Sequence, residues 1–249
     1  ELAQDQDFLD RLKEQEKQLQ KYLNAREKQP EIAYFCMEYG IHECLAIYSG
    51  GLGILAGDHL KSASDLGTPL LAIGLAFKGG YFKQKLDHYG QQFSAPFELD
   101  FHNLPMTPIK EDQAPQLFHL PFPGRMVAFQ VWRVQVGSVS LYLLDTDVPE
   151  NRKEDREITQ HLYGGNHENR LKQEFLLGVG GRHFMDRRGI KVSAYHMNEG
   201  HASFLVLSRL YEWVHQHHLD FESALELVRQ TSLFTTHTPV PAGHDVFHE

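Results

Sequence analysis

The sequence has 249 residues, 41% of them hydrophobic, with a formal net charge of −9 and 16 histidines. That is enough apolar material for one full-sized core, and one or two domains are expected. The acidic balance excludes a nucleic-acid surface, which needs clustered Lys and Arg. Two cysteines make no disulfide framework, so reduced, cytoplasmic thiols are expected at Cys36 and Cys44. No apolar run approaches the ~18 residues of a membrane span, and the start, Glu1-Leu2-Ala3-Gln4-Asp5, carries no signal-peptide pattern. Glu1 at one end and Glu249 at the other, without a closing element, read as cut ends.

Residues 4–28 are charged, with apolar residues at Phe8, Leu9, Leu12, Leu19, Tyr22 and Leu23, the spacing of an amphipathic helix packed on something else. Ile32 to Met37 is a nearly continuous apolar run, as in a strand buried on both faces. The glycine-rich turn Ser49-Gly50-Gly51-Leu52-Gly53 follows, then a helical stretch from Ile54 to Leu66, stopped by Gly67 with Pro69 just beyond. Leu70 to Phe77 reads as another buried strand, completing one βαβ unit. Dense Pro and Gly from Pro96 to Gly124 predict loops or edge strands, and Val127–Val136 with Val139–Leu144 predict a hairpin turning at Gly137 and Ser138. Helix returns from Arg170 to Arg188. Val192–Met197 is a strand candidate, Glu199–His217 and Phe221–Gln230 are helices, and Leu233–Thr236 is a short strand. The expectation is an α/β domain with a mainly parallel sheet and a β-rich insertion over 31–249, preceded by a helical segment over 1–30.

Three polar clusters follow strand candidates. The glycine turn can bring backbone N–H groups and a helix N-terminus to an anion, yet its spacing fits neither the dinucleotide fingerprint nor GxxxxGK[ST]. A tight turn without a ligand explains it equally well. Asn198-Glu199-Gly200-His201 is placed for substrate at a strand's carboxyl end, and a helix start capped by Asn198 is the plainer reading. Thr236-His237-Thr238 with Pro239 and Pro241 presents a histidine on a rigid loop. Three such clusters on one sheet would face one crevice. His42-Glu43-Cys44, His215 with His217 and His218, and His244 with His248 match neither HExxH nor paired CxxC spacing, so no metal is expected.

Ile32 to Gly40, Tyr48 to Asp58, Gly80 to Gln84, Leu141 to Asp147, Arg170 to Glu174, Asn198 to His201 and Thr236 to Thr238 together resemble, in order, the N-terminal domain of the α-glucan (glycogen/maltodextrin) phosphorylases, in the style of the shorter bacterial and archaeal branch. The resemblance implies a Rossmann-like half of a GT-B glycosyltransferase and reversible phosphorolysis of α-1,4-glucan by orthophosphate, giving α-glucose 1-phosphate. It also implies pyridoxal phosphate on a lysine of a C-terminal domain that this chain lacks, so no cofactor is expected here and the chain alone should be inactive. By the same matching Gly50, Gly51, Leu52 and Gly53 contact the glucosyl unit and the phosphate side. His237 bonds a glucose hydroxyl, Asn198, Glu199, His201 and Thr238 line the sugar site, and Glu38 lies near the cofactor region. Glucan, phosphate and the C-terminal domain are the implied partners, and the open partner face leaves homodimerisation to be tested. A nucleotide-sugar-dependent glycogen or starch synthase and a non-catalytic carbohydrate-binding piece are the alternatives.

Overall fold

The computed structural model describes residues 2–26, 29–95 and 97–237. In chain order the elements are α1 (Gln6–Arg26), β1 (Ile32–Phe35), α2 (Gly51–Leu66), β2 (Leu70–Leu75), β3 (Lys83–Leu86), β4 (Gln92–Ala95), β5 (Met106–Pro108), β6 (Lys110–Glu111), β7 (Ala114–Pro115), β8 (Phe118–Phe122), β9 (Arg125–Val136) and β10 (Val139–Asp145). Then follow α3 (Lys153–Arg156), α4 (His167–Phe175), a π-helical turn at Leu176–Gly180, α5 (Gly181–Arg187), β11 (Ala194–Asn198), α6 (Phe204–His215), α7 (Phe221–Gln230) and β12 (Ser232–Thr235). The central sheet runs β12-β11-β1-β2-β10-β9-β5, and all its pairs from β12 to β10 are parallel. Taken in chain order, the five parallel strands lie 3-2-1-4-5, which is Rossmann-like. The β-rich segment β3 to β9 is inserted before β10, and β9 adds the antiparallel side as the hairpin partner of β10.

The central strands are apolar throughout because helices cover both faces. Phe35, Ile73, Leu75, Leu141 and Phe184 are among the fully buried side chains. Helix α2 ends as its sequence demands: Gly67 takes φ 64° and its N–H returns to Ala63 and Ser64 carbonyls. It begins at Gly51, three residues before the apolar pattern starts, because two glycines at the front hide the periodicity. Gly53 and Gly57, four apart and so on one face, let α2 lie directly on the chain after β1. The Gly40 N–H reaches the Gly53 carbonyl at 2.7 Å, and a Cβ on Gly57 would stand 2.1 Å from the Gly40 carbonyl oxygen.

Two predicted elements differ. Helix α1 forms, and Tyr22 fastens its C-terminal end, its hydroxyl meeting Ser64 Oγ at 2.7 Å and Asp65 Oδ1 at 2.8 Å. Its apolar residues Phe8, Leu12 and Leu19, however, remain 38, 53 and 54% exposed. The helix expected from Glu199 starts at Phe204, after a 3₁₀ turn at Gly200–Ala202. The cause is Glu199 itself, whose φ of 61° and ψ of 179° cannot begin an α-helix.

Backbone contact at Gly57 gives a direct test. Gly57→Ala should cost about 2–3 kcal/mol, because the obstacle is main chain that cannot swing away. Gly50→Ala should cost under about 1 kcal/mol, since Gly50 is extended at φ −159° with open space where a Cβ would go. Urea denaturation of both variants checks the contrast, and equal costs would remove the close-packing account.

Candidate active site

Chain order reverses between β1 and β11: from β1 the chain moves one way to β2 and β10, then returns to the other side for β11 and β12. Ligands of open α/β sheets bind outside the carboxyl ends of strands at such a point. The predicted residues Glu38, Asn198, Glu199, His201 and His237 all lie at or just beyond the carboxyl ends of β1, β11 or β12.

Glu38 is 2% exposed. Its Oε2 accepts the N–H of Ser49 at 2.7 Å and of Gly50 at 3.4 Å, while Oε1 accepts the Tyr163 hydroxyl at 2.6 Å. The carboxylate therefore anchors the glycine turn and has little capacity left to act as a free acid. Burial and the Glu38 charge hold the Tyr163 phenol far above its ordinary value, so it stays a neutral donor. Gly53 belongs to the same clamp: a Cβ there would meet Tyr48 Cβ at 2.4 Å and Glu38 Oε2 at 2.9 Å. Gly50, at the N-cap of α2, offers no side-chain cap, so the first-turn N–H groups of Gly51, Leu52 and Gly53 lack both a capping side chain and an intrahelical acceptor. Cβ atoms at Gly50 or Gly51 would touch nothing within 4 Å. The start of the turn at Gly51 therefore fronts open space, as an anion site requires, while Gly53 is buried against Tyr48 and Glu38.

Asn198 does not cap a helix. It is the last residue of β11, and its Nδ2 donates to the Tyr34 hydroxyl at 2.7 Å and lies 3.4 Å from Cys36 Sγ. Its Oδ1 lies 3.0 Å from His237 Nε2, which must carry the hydrogen for this bond. Glu199 occupies a region of φ/ψ space used almost exclusively by glycine, at a cost of order 1–3 kcal/mol. What offsets it is bonding at its N–H and both carboxylate oxygens: the N–H donates to Thr235 O at 2.8 Å, Oε1 accepts the His237 N–H at 2.9 Å, and Oε2 accepts Thr236 Oγ1 at 3.3 Å. Glu199 thus ties the end of β11 to the loop after β12, and the His237 side chain is left 35% exposed. His201 is buried, its ring 5.8 Å from that of Tyr163. Cys36, whose Sγ–H donates to the Glu38 carbonyl at 3.2 Å, links Glu38, Tyr163 and His201 to Asn198, Glu199 and His237 around the switch point. Thr238 lies outside the described residues.

Sequence reading missed Tyr34 and Tyr163, which brace Asn198 and Glu38, and a ring cluster beneath them. Tyr34 packs edge-on against His59 and His196 at 4.8 and 4.9 Å. The register pairing Tyr34 with His196 puts both on one face with Asn198, a signal visible only after strand pairing is known. Burial lowers the pKa of both histidines, and His59 further lowers that of His196. Cys36 is fully buried, its thiol pushed up to about 12 by burial, so it is no nucleophile. Among the described residues, no group of three or more His, Cys, Asp or Glu could hold a metal ion, and no helix is long and apolar enough to cross a membrane.

The sequence is 45% identical to a maltodextrin phosphorylase of Thermococcus litoralis, over 99% of this chain and 31% of that protein. It is 44% identical to a glycogen phosphorylase of Mycobacterium tuberculosis, over 99% of this chain and 31% of the relative. The chain is homologous to the N-terminal third of the α-glucan phosphorylases. A glycogen phosphorylase of Aquifex aeolicus is also similar, at 36% identity over 95% of this chain and 35% of that protein. A family described as "Protein of unknown function (DUF3417)" matches residues 1–45. The chain thus spans about a third of the length of the phosphorylases it matches.

Two outcomes follow for this phosphorylase homologue. Tyr163→Phe and Glu38→Gln should each cost about 2 kcal/mol, the worth of a buried bond to a charge, and the double variant should cost clearly less than their sum. Additive losses in a urea double-mutant cycle would mean the 2.6 Å contact is not coupled. The second outcome concerns pH. Because the native His59 and His196 hold protons less tightly than the unfolded chain does, stability is full above the ordinary histidine pKa of about 6.5 and falls as pH drops below it. The urea midpoint should therefore fall between about pH 7.5 and 5.5, and fall less in His59→Gln. An identical fall in the variant would take His59 out of the account.

Proposed function

We propose that this chain is the glucosyl-binding part of an α-1,4-glucan phosphorylase, which cleaves the terminal glucose of glycogen or maltodextrin with orthophosphate to give α-glucose 1-phosphate. The observation that carries the proposal is the meeting of three features at the β1/β11 switch point: uncapped N–H groups at Gly51 to Gly53, the clamp on Glu38, and the half-exposed His237 ring. They belong to a chain related along 99% of its length to proteins named as phosphorylases.

In this reading the α2 N-terminus binds the phosphate side of the transition state. Its amide dipoles are already oriented, so they stabilise charge as it develops without reorganising. Gly50 and Gly51 have no side chain in the way. His237 meets a glucose hydroxyl: Asn198 holds Nε2, while Nδ1, at 3.6 Å from Glu199 Oε1, is too far for a hydrogen bond and stays available. Glu199 and Asn198 act as positioning residues for that ring, and His201 with Leu52 borders the sugar. Phosphate is the acceptor, so the water-activating carboxylate of an inverting glycosidase is not required.

Pyridoxal phosphate, when bound, supplies a phosphate group that exchanges a proton with the substrate phosphate. The residues at this crevice suit an anion but not a Schiff base, since they offer carboxylate, amide, imidazole and phenol groups. Lys78 and Lys172 are engaged with Asp147 at 2.9 Å and Glu168 at 2.5 Å. We place the cofactor lysine, like the second wall of the cleft, in the rest of the protein, and the cytoplasm as its setting.

The test is a coupled assay for glucose 1-phosphate, with maltoheptaose and orthophosphate, on the complete protein that contains this chain. His237→Ala should lower kcat/KM by about 100-fold without shifting the urea midpoint by more than about 1 kcal/mol of stability, and the isolated chain should release no product. Transfer from ADP-glucose without phosphorolysis would replace the proposal by a nucleotide-sugar glycosyltransferase.

A further inference from the structure

A second cavity lies at the opposite edge of the sheet, where β11 and β12 begin. It encloses about 400 Å³ and is lined by, among others, Arg182, Lys191, Tyr195, Arg209, Glu212 and Trp213. Its volume falls within the range of small-molecule pockets. Arg182 and Arg209 are 9% and 5% exposed, and buried arginines almost always have carboxylate partners. Arg182 conforms. Glu212 Oε2 accepts from its Nε at 3.2 Å and Nη2 at 2.6 Å, and Asp186 Oδ1 lies 2.5 Å from Nη1.

Arg209 does not conform. Among the described residues no carboxylate lies within ion-pair distance of it. Its Nη1 donates to Ser232 Oγ at 2.7 Å and to the Val228 carbonyl at 3.4 Å, and its Nη2 donates to Thr231 Oγ1. Ser232 and Thr231 are neighbours in sequence, and between them they engage both terminal nitrogens of the guanidinium. Along the edge that joins Nε and Nη2, Nε–H has no acceptor among the described residues, and Nη2 has one acceptor for its two hydrogens. That edge is the parallel donor pair which grips a planar oxyanion with two bonds. One flat face of Arg209 is already covered by the Tyr195 ring, 4.0 Å away, which fixes the direction of the fork. Lys191, exposed at the rim, adds a second positive charge. Trp213, Ile190 and Val192 supply apolar walls.

We propose that this cavity is a binding site for a small oxyanion, a carboxylate or phosphate monoester carried on a flat apolar body, gripped by the free edge of Arg209. The site is separate from the glycine-turn crevice, at the amino ends of strands whose carboxyl ends bear Asn198 and Thr235. It does not depend on the phosphorylase reading. The chemistry of the ligand follows from the lining: one charge to answer Arg209, at most a second to meet Lys191, and an aromatic-sized body to lie against Trp213. Glu212 and Asp186 are consumed by Arg182 and repel a second anionic group deeper in the cavity, which limits the ligand to one anionic head.

The experiment is calorimetric titration of the complete protein with benzoate and with phenyl phosphate, in the absence of glucan and orthophosphate, with neutral benzamide as the uncharged counterpart. Saturable binding of at least one anion is expected, with benzamide at least tenfold weaker, and the tighter of the two anions identifies the head group. Arg209→Lys keeps the charge but loses the fork and should weaken binding at least tenfold. Lys191→Gln, on an exposed side chain, should weaken it a few-fold with an unchanged urea midpoint, and it decides the matter if Arg209→Lys does not fold. Absence of saturable binding of either anion to the folded wild-type protein would overturn the proposal. So would anion binding that benzamide matches, or that Lys191→Gln and Arg209→Lys both leave unchanged. Phosphorolysis is not read in any of these titrations, so this proposal and the phosphorylase reading stand or fall separately.

Discussion

The candidate site depends on how closely α2 approaches the chain leaving β1. A helix normally keeps a neighbouring backbone away by the thickness of its side chains. Here Gly53 and Gly57 remove that layer along one face, and the main chain at Gly40 touches the helix directly. The approach brings the α2 N-terminus to the carboxyl end of β1. The buried Glu38 carboxylate then takes the N–H groups of Ser49 and Gly50 and leaves the uncapped start of the helix at Gly51 beside open space. A larger residue at Gly57 would push back the helix, and with it the backbone donors of its first turn. Packing and the proposed anion recognition therefore rest on the same two glycines, one helical turn apart.

On the other side of the switch point the same economy appears in a different form. Glu199 adopts a glycine conformation although it is not glycine. No glycine could replace it, because its carboxylate holds Thr236 and the His237 N–H, and so the loop that presents the ring. Strain of this kind persists where the surroundings over-determine the residue. Here three hydrogen bonds do so. The strain also ends the strand without a normal helix cap, which turns the Gly200–Ala202 segment under the crevice and buries His201 beside Tyr163.

Much of this was legible in the residues. The apolar runs at Ile32–Met37, Leu70–Phe77 and Val192–Met197 became β1, β2 and β11, because a strand buried on both faces has no polar side to disguise it. Gly67 marked the end of α2, and the turn at Gly137 marked the β9–β10 hairpin. The glycine turn, Asn198, Glu199 and His237 were also readable as polar clusters after strands. The partners of these residues were not. Tyr163 meets Glu38 across 125 residues and Tyr34 meets Asn198 across 164, and nothing local in a sequence encodes contacts that strand order alone creates. Glu199 hid its conformation for a related reason, since its side chain carries no sign of positive φ. The apolar stripe of α1 correctly indicated a helix, but the pattern could not say that Phe8, Leu12 and Leu19 would remain exposed.

The two proposed anion sites, at opposite ends of the sheet, rest on opposite kinds of attraction. At the carboxyl edge the proposed attraction comes from amide dipoles and a histidine, with Arg170 stacked over Tyr163 rather than bonded to Glu38, Asn198 or His237 among the described residues. This suits a site whose reacting charge grows during catalysis, because fixed dipoles are weakly screened and need no counter-charge when the site is empty. At the amino edge the attraction comes from a formal charge, Arg209, held out of water by Tyr195 and two hydroxyls. A buried cation is costly until it is answered. In the free protein, cation–π contact and hydroxyl bonds answer only part of it, and Arg209 accordingly releases its proton more readily than an ordinary arginine, at about 10, with burial as the main cause. An anion seated on its free edge would complete the neutralisation, so the same desolvation that makes the empty cavity unfavourable drives the ligand in.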